Sequence, residues 1–525
     1  MGKLLLLLCG ALLVSPAIHA QELAQNPSEV LIPIRKIEVV GSTIFSPAEI
    51  SALTAPLENK SVPLSQLQQL AQQITNLYQQ RNYITSRAFI PPNQNLQTGV
   101  VRIQVLEGTV ERIEISRAPD SPNRLNDSYV RDRLAIGAET PLNFTRLEEE
   151  LQLLRSDPLI SALRANLVSG SSPTNSVLQV RFQEAKSFST RVFTDDYGNT
   201  STGIYRAGLV LTELNTFGNG DVVSLNYTRS GTADGWGIVY QYPLNPRGGT
   251  ISLSYSGSNN PFTFGSAPPL RILTTSQILE LSVRQPLIRK PLEEFALSGG
   301  LAFEDSFSSL NDVSFNFNNN TVGDGLSQAR ILRFGQDYTK RDEQGAWALR
   351  STFNLGIGAL GSTIRNSAPD SRFFSWIGQL LRVQRIGADS LAFLRLNVQL
   401  ANTALLSLNK FSVGGAQTVR GYRQNQIVGD NGIQASLELQ FPVIKDDQDR
   451  SIVKIHPFIE TGTVWNTSGI NPIPQTLFSL GIGATYQPMT NLVFRLDVGI
   501  PLVNANNPGT NLQDSGIHFS VNGSF

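Results

Sequence analysis

The 525-residue sequence predicts two architectures in series: α+β units first, then an all-β, 16-stranded antiparallel transmembrane β-barrel. Three observations predict this. The chain opens with an apolar leader. Its periodicity changes near residue 186, from mixed helix and strand patterns to strand alternation alone. Its last residue, Phe525, sits at the tip of an amphipathic segment.

Residues 1–20 read as a signal peptide. Lys3 supplies the positive start, Leu4 to Val14 the apolar core broken only by Cys9 and Gly10, and Ala17-Ile18-His19-Ala20 the small-residue cleavage site. The cut is expected after Ala20. A lipoprotein signal would need a small residue before Cys9, where Leu8 stands. An anchor helix would need about 20 apolar residues, more than this stretch or any later one provides. Cys9 is the only cysteine, so the mature chain is expected to hold no disulfide and no thiolate metal site. His456 and His518 are the only histidines after His19. No metal or cofactor is expected. Lys plus Arg and Asp plus Glu balance at 42 each, so no charge excess points to nucleic acid.

A short segment, 21–32, precedes two units of β-α-α-β-β pattern, 33–108 and 109–185. In the first, Ile34 to Val40 reads as a strand, and Ser46-Pro47-Ala48-Glu49 as a capped helix start. The next helix carries Leu64, Leu67, Leu70, Ala71, Ile74, Leu77 and Tyr78 at helical spacing. Tyr83 to Ile90 and Val100 to Leu106 follow as strands. Leu67, Leu70, Ile74, Tyr78 and Tyr83 are candidates for contact with a partner protein; packing within their own unit is the competing reading. In the second unit, Val110 to Ser116 is a strand and Tyr129 to Ile136 a short helix. Thr145-Arg146-Leu147-Glu148 reads as a capping box before a stripe of Leu147, Leu151 and Leu154. Leu159 to Val168 and Val177 to Phe182 complete its sheet.

From 186 to 525 the sequence alternates in sixteen segments: 187–196, 203–214, 219–230, 234–243, 248–258, 275–286, 293–305, 325–339, 345–357, 373–385, 389–401, 430–442, 453–464, 475–487, 490–499 and 516–525. The number is even, as bacterial barrels require. In the twelfth, Ile433, Ala435, Leu437, Leu439 and Phe441 oppose Gln434, Ser436, Glu438 and Gln440. In the last, Ile517, Phe519, Val521 and Phe525 oppose His518, Ser520 and Asn522. Soluble sandwiches alternate too. The leader, segments long enough to cross hydrocarbon when tilted, and the terminal Phe525 favour a membrane barrel. Lipid cannot pair an open sheet edge, so such a barrel must close. The terminal aromatic resembles the signal read by the barrel-assembly machinery, an expected partner together with outer-membrane lipid.

The eleventh and twelfth segments are joined by Asn402 to Asn431, too long for a turn and too polar for a strand. It contains Phe411-Ser412-Val413-Gly414-Gly415 and Val419-Arg420-Gly421-Tyr422. In the thirteenth, Val453, Ile455, Pro457 and Ile459 share one face. Lys454, His456, Phe458 and Glu460 then face the lumen by parity alone.

The loop Val419-Arg420-Gly421-Tyr422, followed by a strand with Phe458, Glu460 and Gly462 spaced as Phe-x-acid-x-Gly, resembles the BamA superfamily of POTRA-plus-barrel translocons. The resemblance implies that the loop folds into the lumen and Arg420 pairs with Glu460, where the family more often has aspartate. A bidentate pair is expected. Two POTRA units, 33–108 and 109–185, with a barrel over 186–525, resemble more narrowly the two-partner secretion transporters, the TpsB or hemolysin secretion/activation type. Tyr78, Tyr83-Ile84-Thr85-Ser86-Arg87, Ile90-Pro91, Gln94, Gly99 and Glu107-Gly108 carry that likeness in the first unit. Asp195-Asp196-Tyr197-Gly198 and Thr202-Gly203 carry it at the start of the barrel. Several members begin with a plug helix; the short segment Gln21 to Ile32 leads us to expect none here.

The resemblance implies an outer-membrane protein with POTRA domains in the periplasm. It would pass a large TpsA-like partner, unfolded, to the cell surface, and would act as a monomer. The alternative is an assembly or insertion factor of the same superfamily, which typically has more POTRA units. A porin needs no POTRA units. An enzyme is not expected: histidine is scarce and no Gly-x-Ser-x-Gly elbow occurs.

Overall fold

The computed structural model describes residues 30–264, 269–317, 321–322, 324–505 and 509–525. The expected leader and most of the segment 21–32 lie outside the described residues. Two units meet at Gly108 and Thr109 and are described separately.

The first unit contains β1 (Leu31–Ile34), β2 (Lys36–Val40), α1 (Pro47–Thr54), β3 (Lys60–Pro63), α2 (Leu64–Gln80), β4 (Arg87–Phe89) and β5 (Val100–Leu106). Its sheet runs β2-β5-β4, with β2 parallel to β5 and β4 antiparallel at the edge. Ser46 caps α1 and Glu49 closes a capping box, because two otherwise unpaired N–H groups are satisfied reciprocally. The expected strand Ile34 to Val40 is two strands. The Gly99 carbonyl accepts from both Arg35 N and Lys36 N, at 2.7 and 3.1 Å, and the chain changes partner there from β3 to β5. Tyr83 to Ile90 is a strand only over Arg87–Phe89. Asn82 in the left-handed region ends α2, and turns from Tyr83 N to Tyr78 O and from Ser86 N to Tyr83 O use the residues between.

The second unit begins with β6 (Thr109–Arg117), α3 (Asp127–Gly137), α4 (Phe144–Arg155), β7 (Ile160–Ser169) and β8 (Asn175–Glu184). The sheet order β6-β8-β7 repeats the arrangement of β2-β5-β4, first strand parallel to last and middle strand antiparallel at the edge. The helix α4 is capped by Asn143, whose Oδ1 accepts from Thr145 N and Arg146 N. The expected Thr145 capping box is thus displaced by a better acceptor two residues earlier. Leu147 and Leu154 are buried, Leu151 only partly.

The barrel follows as β9 (Phe188–Asp195), β10 (Arg206–Leu214), β11 (Val222–Ser230), β12 (Ala233–Pro243), β13 (Thr250–Phe264), β14 (Leu270–Lys290) and β15 (Glu293–Leu310). A small hairpin, β16 (Val313–Asn316) and β17 (Thr321–Val322), precedes β18 (Leu326–Asp342), β19 (Gly345–Gly356), β20 (Phe374–Arg385) and β21 (Leu391–Ala401). The loop after β21 holds β22 (Phe411–Val413) and β23 (Ile427–Gly429). The wall ends with β24 (Asn431–Lys445), β25 (Ser451–Trp465), β26 (Thr476–Met489), β27 (Leu492–Pro501) and β28 (Ile517–Ser524). Setting aside β16, β17, β22 and β23, sixteen antiparallel strands close the ring, and each predicted segment overlaps one of them. β28 pairs with β9 through Ser520↔Asp195 to Ser524↔Arg191, and Phe525 exchanges two backbone hydrogen bonds of 2.8 Å with Thr190.

Alternation decides which face is which. On β24, Gln434, Ser436 and Glu438 are buried inward while Ile433 and Leu437 stand exposed outward. Short turns join strands at the end near β8, and the long loops lie at the other end. The turn 215–221 docks on the preceding α+β part of the same unit. Asn126 N donates to Gly218 O at 2.8 Å, and Arg124 pairs with Glu213 at 2.6 Å. A Cβ on Gly220 would lie 2.2 Å from the Tyr129 ring, so only glycine permits this approach.

Candidate functional site: an arginine loop inside the barrel

The segment after β21 turns into the lumen instead of projecting from the rim. Three local features direct it. Leu405 and Leu406 are buried against Ala302, Ala329, Ile331 and Phe373 on the inner wall. The β22–β23 ribbon packs on β24 and β25, with Phe411 over Gly432 and Val413 over Gly462. Gly414 and Gly415 have φ of 115° and 96°, which lets the chain leave β22 sharply. The tip, Val419 to Tyr422, is then fully enclosed.

Arg420 is 2% exposed. Its Nε and Nη2 donate to Glu460 Oε1 at 3.0 and 2.6 Å, and its backbone N–H donates to Glu460 Oε2 at 2.7 Å. The pair is therefore not the two-oxygen fork expected, because the backbone occupies the second oxygen. Nη1 donates to Glu438 Oε2 at 2.8 Å and to Asp497 Oδ1 at 2.9 Å. The guanidinium lies 3.4 Å from the Phe458 ring centroid, a cation–π contact in a dry setting. Arg495 bridges the same two carboxylates, donating at 2.7 Å to Glu438 and at 2.7 and 3.0 Å to Asp497. Two guanidinium groups thus face three carboxylates on β24, β25 and β27. Ser436 Oγ donates to Glu460 and Gln440 Nε2 to Glu438, at 3.0 and 3.1 Å.

The residues beside Arg420 fix the tip's approach. Gly421 has φ of 93° and crosses Gly499 backbone to backbone; a Cβ on Gly499 would sit 2.5 Å from Gly421 N. His518 Nε2 accepts from Gly421 N at 3.4 Å. Tyr422 Oη donates within 2.8 Å of Phe478 O and accepts from Val503 N at 3.0 Å. Arg423 pairs with Asp514, and Gln513 donates to Gly198 O at 2.9 Å, tying the tip to the β28–β9 seam. Gly462 provides the room for Val413.

Parity in the sequence shows Phe458 and Glu460 facing inward. It did not single out Glu438, Arg495 or Asp497 as partners. Arg495 and Asp497 were findable: two opposite charges two residues apart in one spanning strand share a face, and only the lumen accepts them.

The candidates in the first unit stand differently. Leu67, Leu70, Ile74 and Tyr78 are 0–2% exposed in its core. There they pack with Ile37, Phe45, Val101 and Ile103, as the competing reading of the sequence has it. Tyr83 is half-buried and packs edge-on to Tyr78, with ring centroids 6.1 Å apart. Tyr78 Oη donates to Glu107 Oε1 at 2.7 Å and lies 2.7 Å from Ser42 Oγ, and burial pushes its phenol well above the usual range. Glu107 also accepts from Thr43 N and Oγ1, so these polar groups pin the loop after β2.

Comparison with known proteins bears on the whole chain. The profile of the family described as haemolysin secretion/activation protein ShlB/FhaC/HecB matches residues 174–486, and that of the ShlB-type POTRA domain matches 32–108. The outer membrane transporter CdiB of Dickeya dadantii (strain 3937) is 24% identical over 494 residues, covering 90% of this chain and 83% of that protein. The hemolysin transporter protein ShlB of Serratia marcescens is 33% identical over 199 residues, 37% of this chain and 33% of that one. The solved structure of CdiB from Escherichia coli superimposes with a TM-score of 0.73 at 21% identity, over 98% of this chain and 93% of that one. BamA from Haemophilus ducreyi lacking POTRA domains 1–3 gives a TM-score of 0.55 at 16% identity, over 94% and 100%.

Proposed function

Because the chain belongs to the haemolysin secretion/activation family ShlB/FhaC/HecB, we propose that it exports one large partner protein, unfolded, from the periplasm to the cell surface through its barrel. The observation that carries the reading is the loop held across the lumen by Arg420, buried among Glu438, Glu460 and Asp497. A wall built only to seal would need no inserted loop, and a static plug would need no charged latch.

The route follows from the chemistry of the parts. The periplasmic α+β units offer strand edges, β4 in the first and β7 in the second. An extended polypeptide can add there as a strand, because backbone N–H and C=O groups at an edge await partners. The core residues Leu67, Leu70, Ile74 and Tyr78 hold α2 in place behind such an edge and do not themselves touch cargo. The inward faces of the barrel strands are polar and wet, which suits a chain still carrying unpaired backbone groups. The loop must then move aside. Buried charges hold its Arg420 end: seated, Arg420 is paired with three carboxylates; withdrawn, each would have to find water. Folding of the partner outside supplies direction without nucleotide.

We read the protein as a transporter with no catalytic step. Its outward rows of Leu, Ile, Val and aromatic side chains meet outer-membrane lipid, Phe525 is read by the barrel-assembly machinery, and one chain suffices for one pore. The test is the surface and medium proteome of a strain lacking this protein. Loss of one large secreted protein, with other barrels intact, is the expected result. A joint fall of many outer-membrane proteins would instead favour an assembly factor and sink the single-partner reading.

A further inference from the structure

We infer that Glu304 is a second mooring of the arginine loop, on the wall opposite Arg420, and that the lumen opens by release at this end. The inference rests on the transport reading above and names the positioning residue that governs its gate.

The ring order sets the geometry. Glu304 stands on β15 and Asp497 on β27. Seven wall strands separate them in one direction, β18 to β21 with β24 to β26, and seven in the other, β28 with β9 to β14. They are therefore on opposite sides of the barrel. The loop touches both. Asn409 Nδ2 donates to Glu304 Oε2 at 2.8 Å, and Arg420 Nη1 donates to Asp497 Oδ1 at 2.9 Å. Between these contacts the loop forms a bar across the lumen.

The two ends differ in what release would leave behind. At the Arg420 end, withdrawal separates a buried guanidinium from three buried carboxylates and leaves Glu460 without any guanidinium. An uncompensated buried charge makes that step steep. At the other end, Glu304 is 4% exposed, and its Oε1 is already held by Arg333 Nη2 at 2.6 Å. Asn409 is a neutral donor. When it leaves, Glu304 keeps its arginine and no charge is orphaned. Leu405 and Leu406 add apolar contacts to this mooring. Leu405 N also donates to Asp430 Oδ1 at 2.9 Å and Gln399 Nε2 to the Asn409 carbonyl at 2.9 Å, but on release Asp430 keeps Lys410 and Thr467 N, and Gln399 keeps the Asp430 carbonyl. The bar thus has one end that resists release and one built to let go. Motion pivots about Arg420, and Glu304 sets how often the free end is seated.

The pair can be tested by polarity. N409D sets a carboxylate against Glu304. The full-length protein in planar lipid bilayers is expected to show about a ten- to hundred-fold rise in open probability, the range for losing a hydrogen bond to a charged group. In N409D/E304Q the glutamine carbonyl still accepts from Arg333, and its amide donates to the new aspartate, so open probability returns to the wild-type level. Heat-modifiable migration on gels checks that each barrel is closed. A merely structural role predicts the reverse order, with the double variant worse than the single. Wild-type conductance in N409D, or no recovery in the double variant, overturns the proposal. Ion conductance needs no cargo, so this outcome is separable from that of the deletion strain. Loss of one secreted protein there together with an unchanged N409D would leave the transport reading standing and remove only the mooring.

Discussion

Replacing Arg420 by alanine should unseat the loop while leaving the barrel closed. The magnitude follows from what remains. Arg495 still contacts Glu438 and Asp497, at 2.7 and 2.7 Å, so those two keep a cation. Glu460 loses its guanidinium and keeps only neutral donors, Ser436 Oγ at 3.0 Å and the residue-420 backbone N–H at 2.7 Å. Breaking a buried pair in this way costs about 3–5 kcal/mol, and the Phe458 stacking is lost as well. At about 1.4 kcal/mol per decade, the seated fraction falls by roughly two to three and a half decades relative to the withdrawn one. The wall itself loses no ladder hydrogen bond, because β24, β25 and β27 pair through their backbones. Two assays read the result. Protease applied to purified protein should cut within residues 402–430 of the variant and not of the wild type, and export of the partner should fall. R420A/E460Q removes the stranded charge and should regain part of the protection. A variant loop as protected as wild type, in cells that export normally, would refute the electrostatic latch.

Other consequences follow from single contacts. Gly499→Ala places a methyl 2.5 Å from Gly421 N; with every charge retained, it should expose the loop to protease about as strongly as R420A does. Tyr78→Phe removes the hydroxyl joining Glu107 to Ser42; the first unit should lose about 1.5–3 kcal/mol, read as a lower denaturant midpoint with cleavage beginning near residues 41–46. Glu49 titrates near 2 instead of 4.5, chiefly because the Ser46 backbone N–H donates to it, with Arg81 next. Its folded value lies below its unfolded one, so its contribution to the α1 start is complete above about 4.5 and disappears as pH falls towards 2. Amide protection over Pro47–Thr54 should weaken across that window in the wild type and be flat in Glu49→Gln. Deleting Phe525 removes both hydrogen bonds to Thr190; the yield of heat-modifiable barrel should drop while synthesis and export of the chain continue.

Much of the wall was legible because a closed barrel in lipid leaves one solution for parity. Ile433 and Leu437 had to face out once Gln434, Ser436 and Glu438 had to face in. Boundaries slipped where a strand continues beyond the hydrocarbon. β14 spans 21 residues, Leu270–Lys290, although alternation in the sequence is clear only over 275–286. In the α+β units, capping was readable where the motif was complete, at Ser46 and Glu49. It was misplaced at Thr145, where the true acceptor was Asn143. Tyr83 to Thr85 has strand composition but is consumed by turns, a tertiary outcome of the tight end of α2. At the site, a local motif marked Arg420 and Glu460, whereas Glu438 comes from β24 and Arg495 and Asp497 from β27. Their convergence depends on register and loop entry, which one strand's alternation does not encode.

The way the ring closes has a consequence for biogenesis. The seam joins the first wall strand to the last, and Asp196 accepts from the backbone of Phe519, 323 residues further along the chain. The loop tip likewise needs Asp497 and Asp514, both near the C-terminus. Closing so large an interval carries a loop entropy that local hairpins do not, and non-local pairing is slow. A chain released early can form hairpins but can neither seal its edge nor seat its gate. Truncated copies would therefore expose a templating edge and would be marked for removal before they could breach the membrane. The topology thus acts as a completeness check, passed only when the final residue has arrived.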